Sequence, residues 1–498
     1  MSQRVKADVL VIGSGMGGAS FAAGLAPSGA KILILERGER MRDSADLRDA
    51  RAIFQKGVFR PQEEWLDGAG RGFNPGNYYY VGGNSKLYGA VLIRYRAQDF
   101  AKIAHRGGET PGWPFPYEEL EPWYCRAEQL YKVRGALGYD ATEPPHSQPY
   151  PFPAVPDEPA IAVARERMKR VGLHPFSLPL GVDLESWLAR APTPWDAFPD
   201  AGHGKMDAES CGLAAALAHD NVELRTGVRV ERLLLAPDGK RIGGVEALCA
   251  GERVTFGAKL VVLAAGAVNS AALLLRSSEG GVANRSDAVG RHFMNHNATA
   301  MLAVDPRVRN DAVYQKTLGL NDFYLDDGKG GPPLGNIQLL GRVTAPILKA
   351  NIPLAPEWAL GALCRHSVDW YAMSEDLPNP ESRVTVEGGR IRLDWKRSNW
   401  AAHLALVAAL KERLRAAGYP LVLTKPFDRR TPSHQCGTVR IGADAAAAPL
   451  DPYCRAWDHP NLFVVDASFL PTSAAVNPSL TVAAQALRVA DHVARQDL

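Results

Sequence analysis

His434, in the stretch "TPSHQCGTVR", can take up and release a proton near neutral pH, and three uses are open to it: a satisfied core histidine, a metal ligand or a general base. The metal reading is the weakest. No second His, Cys or carboxylate sits at ligand spacing around it, and the six cysteines are scattered without a CxxC pair, so no metal site is expected. At the other end of the chain, Gly13, Gly15 and Gly18 form GxGxxG inside "ADVLVIGSGMGGASFAAGLAPSGAKILILERG". The first glycine permits a sharp turn, the second a close backbone approach to a pyrophosphate, and the third tight helix–strand packing. Glu36 closes the unit 18 residues after Gly18, where a carboxylate can accept from a ribose diol. Together these residues predict dinucleotide binding, with NAD and FAD both open.

The elements that must position these groups follow from the patterning. Val9 to Ile12 read as a buried strand, followed by a glycine turn, a helix and a second strand. Gly82 and Gly83 in "YYYVGGNSKLYGAVLIRYRAQDF" imply a second close backbone approach, after a polar, irregular stretch over about 40–75. Proline-rich and aromatic segments around 110–157 and 189–206 read as long ordered connections of the lid or binding-loop kind. Further on, "NIQLLGRV" and "SRVTVEGGRIRLDW" read as strands of a separate antiparallel sheet, covered by an amphipathic helix over about 400–417. The end of the chain returns to strand, turn and helix. The expected fold class is α/β, with a discontinuous Rossmann-like dinucleotide-binding domain and a second, substrate domain built on an antiparallel sheet with helices. The expected boundaries are 1–100, 221–300 and 431–498 for the nucleotide domain, 101–220 for a connecting or lid segment, and 301–430 for the substrate domain.

Fifty-seven basic residues against 54 acidic leave no basic tract for nucleic acid or an anionic membrane. The apolar run 260–275 is broken by Asn269 and Ser270 and is too short to span a bilayer. The N-terminus enters a strand pattern within a few residues, which leaves a cytoplasmic location as the expectation; a homo-oligomer is compatible with it.

Five motifs in order resemble the glucose-methanol-choline (GMC) flavoprotein oxidoreductases over roughly residues 7–495, in the branch of bacterial sugar and pyranose oxidases or dehydrogenases. They are GxGxxG with Glu36, "VGGNS", "AAGAVNSAALLLRS", "VGRHFMNH", and "HQCGT" followed by "VVDASFLPTSAAVNPSLTVAAQALRVAD". The resemblance implies FAD as cofactor. It also implies His434 as the base and Asn477, 43 residues on, as its partner facing the flavin. Gly13, Gly15, Gly18 and Glu36 would then hold the ADP half and Val230 the adenine; Gly82, Gly83, Asn84 and Ser85 would pass the isoalloxazine, and Asp466 and Ala467 the phosphates and ribityl. Where some members bind FAD covalently through a histidine, this chain has Leu87, so noncovalent FAD is expected.

The activity implied is oxidation of an alcohol, with a secondary hydroxyl of a sugar or glycoside as the leading substrate. Hydride goes to flavin N5, His434 takes the proton, and oxygen or a soluble acceptor reoxidises the flavin. Asn336, Gln338, Trp370 and Tyr371 are the candidate substrate residues, because amides and aromatic faces suit a sugar ring. A hydrophobic or aromatic primary alcohol is the nearest alternative, and a non-redox hydroxynitrile-lyase-like reaction the alternative of another class.

Overall fold

Val9 to Ile12 and Ile32 to Leu35 carry apolar side chains at every position, so both strand faces must be covered, as in a parallel sheet flanked by helices. The computed structural model, which describes residues 4–428, 430 and 434–498, places them at the centre of a seven-stranded sheet. Strand Arg4–Ile12 pairs in parallel with Ile32–Leu35 on one side and with Glu252–Leu263 on the other, and Val222–Arg225 extends the sheet beyond Ile32–Leu35. The 12-residue strand Glu252–Leu263 does two jobs. Its first half pairs antiparallel with Ile242–Cys249, itself paired with Val228–Leu235, and its last residues pair in parallel with Leu462–Val464. Sequence from the start, middle and end of the chain thus builds one Rossmann-like layer. Helices Met16–Leu25 and Ser479–Gln496 pack together beside it.

The second sheet has six strands, all neighbours antiparallel, in the spatial order Leu421–Pro426, Asn297–Val304, Ser367–Ser374, Asn336–Leu339, Leu318–Leu320 and Phe176–Ser177. Helix Trp400–Ala416 covers one face, where Ala402, Leu406, Leu410 and Leu414 recur every four residues. They share a core with Met301, Ile337, Leu339 and Trp370. Side chains alternate along a strand, so Asn336, Gln338 and Tyr371 point to the opposite face.

Two expectations change here. The hairpin Arg383–Glu387 and Arg390–Asp394 does not join the six-stranded sheet; it pairs with Trp65–Asp67, which pairs in turn with Gly72–Phe73. Two short strands therefore stand in the stretch read as irregular, and the hairpin completes a small four-stranded sheet with them. Among the described residues, no helix is long and apolar enough to cross a membrane.

Candidate active site

A cavity of about 890 Å³ runs from the glycine turn to His434. Gly13, Gly15 and Glu36 line one end, with Val230, Gly82, Gly83, Asn84, Ser85, Asp466 and Ala467 along its course; His434, Asn477 and Tyr371 also line it. The structure therefore gathers most of the residues singled out by type and spacing around one space.

The glycines of the turn divide into two kinds. A Cβ on Gly13 would lie 2.3 Å from the Ala264 carbonyl oxygen, and one on Gly18 would lie 2.1 Å from the Gly13 carbonyl oxygen, so these two are needed for packing. A Cβ on Gly15 meets nothing within 4 Å and would stand in the cavity. Gly15 is also the N-cap of helix Met16–Leu25 and supplies no side-chain cap, leaving the first helical N–H groups for an anion. A bare backbone at the mouth of an uncapped helix, opening on a long cavity, fits the diphosphate of FAD. Gly15→Ala is accordingly expected to leave the melting temperature of the flavin-free protein within a few degrees of wild type while weakening FAD retention at least about tenfold, which flavin fluorescence in the filtrate after dilution measures.

The Glu36 carboxylate is already engaged within the protein. One oxygen accepts from Ser14 N at 3.0 Å and Ser14 Oγ at 2.7 Å, and the other from Gly38 N at 2.9 Å; burial pushes its pKa up. Ser14 Oγ in turn accepts from Gly82 N at 3.0 Å, which ties the glycine turn to the "VGG" loop. Beyond that loop, Lys86 is fully buried between Asp207 at 2.9 Å and Glu209 at 2.8 Å. Asp466 accepts from Gly266 N and from the Ser468 backbone and hydroxyl, which closes the far wall. Ser14 was passed over in the sequence because it occupies a variable position of the motif.

His434 is set by a two-bond bridge: Met294 N donates to Cys436 O and Cys436 N to Met294 O, both at 3.0 Å. This bridge sets His296 and His434, 138 apart in the chain, side by side, with His296 Nδ1 2.7 Å from His434 Nδ1. Asn477 Nδ2 lies 3.2 Å from His434 Nε2, and Asn477 Oδ1 accepts from Gln338 Nε2 at 3.0 Å. Burial, then the neighbouring His296 and Lys316, hold the His434 imidazole well below its ordinary range. Burial likewise lowers His296, although its contacts to the Ser473 and Ala474 carbonyls act in the opposite sense.

Of the four candidate substrate residues, only Tyr371 lines the cavity. Trp370 is corrected to a core residue: the strand's two-residue period turns it toward helix Trp400–Ala416 when Tyr371 faces the cavity. Asn336 and Gln338 are also corrected. They are buried behind Asn477 and bond to each other, with Gln338 Nε2 at 3.0 Å from Asn336 Oδ1. Asp196 and Lys316 are among the lining residues that were missed. Lys316 Nζ donates to Asp196 Oδ2 at 2.7 Å and lies 5.8 Å from the centre of the Tyr371 ring. Neither sits in a recognisable motif, so no sequence signal marked them. His296 did have one, as the last residue of "VGRHFMNH".

Comparison with known proteins agrees with this architecture. Models of the GMC oxidoreductase family match residues 197–298 and 378–486, and a NAD(P)-binding Rossmann-like domain model matches residues 11–79. The chain is 30% identical to 6'''-hydroxyparomomycin C oxidase of Streptomyces lividus, over 98% of this chain and 92% of that protein. It is also 30% identical to paromamine 6'-oxidase of Streptomyces fradiae, over 98% and 91%. A solved structure of pyridoxine 4-oxidase from Mesorbium loti shares the fold with a TM-score of 0.65 at 21% identity, covering 98% of this chain and 99% of that one. With the glycine cradle, the long cavity and full-length relatives in agreement, the chain belongs to the GMC oxidoreductase family and is an FAD-dependent oxidoreductase of alcohol groups.

Proposed function

We propose that this enzyme oxidises a hydroxyl group of a sugar or glycoside, aminoglycosides included, with His434 as the base and Asn477 beside it. The observation that carries the reading is the meeting of His434 and Asn477 at a cavity wall that also presents Tyr371 and the Asp196–Lys316 pair. An aromatic face, with Phe427 next to it at a ring separation of 5.7 Å, suits the apolar side of a sugar ring. The ion pair offers both an acceptor and a donor to its hydroxyls. The two full-length aminoglycoside-oxidase relatives support the same substrate class.

The residues lining the long cavity would hold FAD noncovalently, and FAD would supply the hydride acceptor. The protein supplies position and proton handling. The substrate hydroxyl takes the place of the Asn477 N–H at His434 Nε2, which receives its proton as the carbon gives up hydride, and the released Asn477 N–H donates to the substrate oxygen. Oxygen or a soluble acceptor would serve as the final electron acceptor.

His434 stays neutral at and below its ordinary pKa, because burial and neighbouring positive charge disfavour the imidazolium. A neutral base is the active form, so activity is lost only when the pH falls far enough to protonate it. The kcat/KM profile is therefore expected to run level through about pH 6.5, the ordinary histidine value. An acid-side break at that pH would contradict the assignment.

The substrate class is tested on products. Glycosides, aminoglycosides, and aliphatic and aromatic alcohols are incubated with enzyme and acceptor, and the products are trapped with borodeuteride. A glycoside that loses two hydrogens and regains one deuterium at a hydroxyl-bearing carbon supports the proposal, and the labelled carbon tells the anticipated secondary hydroxyl from a primary one. Turnover of the simple alcohols alone would replace it with the hydrophobic-alcohol reading.

A further inference from the structure

We propose that His296, on one side, and the buried amide run Asn321, Asn336 and Gln338, on the other, are positioning residues that hold His434 in one tautomer, with hydrogen on Nδ1 and a bare Nε2 at the cavity. The tautomer assignment is geometric; its catalytic meaning rests on the reading of His434 as base.

From the first side, His296 Nε2 lies 2.9 Å from the Ser473 carbonyl oxygen and 2.8 Å from that of Ala474. Carbonyl oxygens only accept, so the neutral His296 ring carries its hydrogen on Nε2 and leaves Nδ1 as a lone pair. The atom facing that lone pair is His434 Nδ1, at 2.7 Å. Two lone pairs would repel at that distance, so His434 Nδ1 carries the hydrogen. A neutral imidazole has one N–H, and His434 Nε2 is therefore bare.

The second side begins 181 residues before Asn321, at a carboxylate. Asp140, ion-paired with Arg96, accepts from Asn321 Nδ2 at 2.7 Å. That fixes the Asn321 amide, whose Oδ1 accepts from Asn336 Nδ2 at 2.7 Å. Asn336 Oδ1 accepts from Gln338 Nε2, and the same Gln338 nitrogen donates to Asn477 Oδ1. Reversing any one amide would set oxygen against oxygen or nitrogen against nitrogen. The run therefore delivers Asn477 with its NH₂ toward His434 Nε2, where a donor needs a lone pair. Two independent runs, one ending on carbonyls and one on a carboxylate, require the same protonation state. Among the described residues Gln338 Oε1 has no partner, so this side chain leaves an acceptor unmet while both its amide hydrogens keep the direction of the run.

The consequence is mechanistic. When Nε2 gains the substrate proton, the Nδ1–H bond to His296 is already in place and no ring has to turn. Losing this fixation would leave His434 divided between a competent and an incompetent tautomer.

The test is nitrogen-15 histidine NMR of the FAD-loaded enzyme at neutral pH, with the His434 signals assigned by their absence in His434→Ala. The expected spectrum has His434 protonated at Nδ1 and bare at Nε2, and His296 in the opposite tautomer. His296→Leu should mix the His434 tautomers, with Asn477 alone still favouring a bare Nε2, and slow flavin reduction about 10²-fold as the ring loses its placement, the order of a misplaced general base. His296→Asn, whose amide oxygen can stand where Nδ1 stood, should restore both. A wild-type His434 protonated at Nε2 would overturn the proposal, as would an unchanged tautomer and rate in His296→Leu. Should that variant fail to fold, the wild-type spectrum decides alone. Normal flavin reduction by His434→Ala together with the expected tautomer would remove the base reading and leave the assignment standing.

Discussion

His434→Ala is expected to slow anaerobic reduction of the flavin by substrate about 10²–10⁴-fold while leaving a folded, yellow protein. The loss is chemical because His434 lines the cavity and no other described histidine does. His296 is turned away, with its Nε2 held by two carbonyls. The fold should survive because His434 is placed by the backbone bridge between Met294 and Cys436, which does not use its side chain. His434 has φ +65°, a left-handed conformation that costs a non-glycine residue about 1 kcal/mol, and alanine inherits this strain without adding to it. Rapid-mixing absorbance of the oxidised flavin measures the rate. Reduction at the wild-type rate would refute the assignment.

Gly18→Ala should have the largest effect on folding, at about 3 kcal/mol or more, seen as loss of soluble flavoprotein or a fall of many degrees in Tm. The added Cβ would sit 2.1 Å from the Gly13 carbonyl oxygen and 3.0 Å from the Ala264 Cβ. Both contacts lie where the first helix crosses the first strand and its neighbour, so relief requires opening the packing that forms the cradle. Gly17→Ala meets the same obstacle 2.1 Å from the Val465 carbonyl oxygen, although Gly17 is outside the GxGxxG glycines. The contrast is with Gly15→Ala, which has room for its methyl group and is expected to lose cofactor while keeping its fold. A Gly18→Ala protein as stable as wild type would show that the helix does not need this close approach.

The cradle was legible in the sequence because it is local: strand, turn, helix and acid follow one another within 32 residues, Ala7 to Gly38. His434 and Asn477 were legible only through their motifs, since their meeting depends on the packing of two distant loops. The substrate wall was harder still. Trp370 and Tyr371 are adjacent, so in a strand one must face away from the other; which one faces the cavity is decided by the helix that covers the sheet, and no residue near them states it. Asn336 and Gln338 were read as substrate amides, but they bond to each other and, through Gln338, to Asn477, and the cavity wall falls to Tyr371, Asp196 and Lys316. The strands at 65–73 escaped notice because each is two or three residues long, and the first of them pairs with a hairpin more than 300 residues away, beyond the reach of any local pattern.

The most direct measurement is anaerobic mixing of the FAD-loaded enzyme with a series of glycosides and aminoglycosides, with flavin absorbance followed at about 450 nm, the usual band of a bound oxidised flavin. Bleaching by members of that series, with colour restored by air or an added acceptor, is the predicted result. A flavin that bleaches with a chemical reductant but with no glycoside, or a substrate that is cleaved while the flavin stays oxidised, would contradict the account, and the latter outcome would point to lyase chemistry.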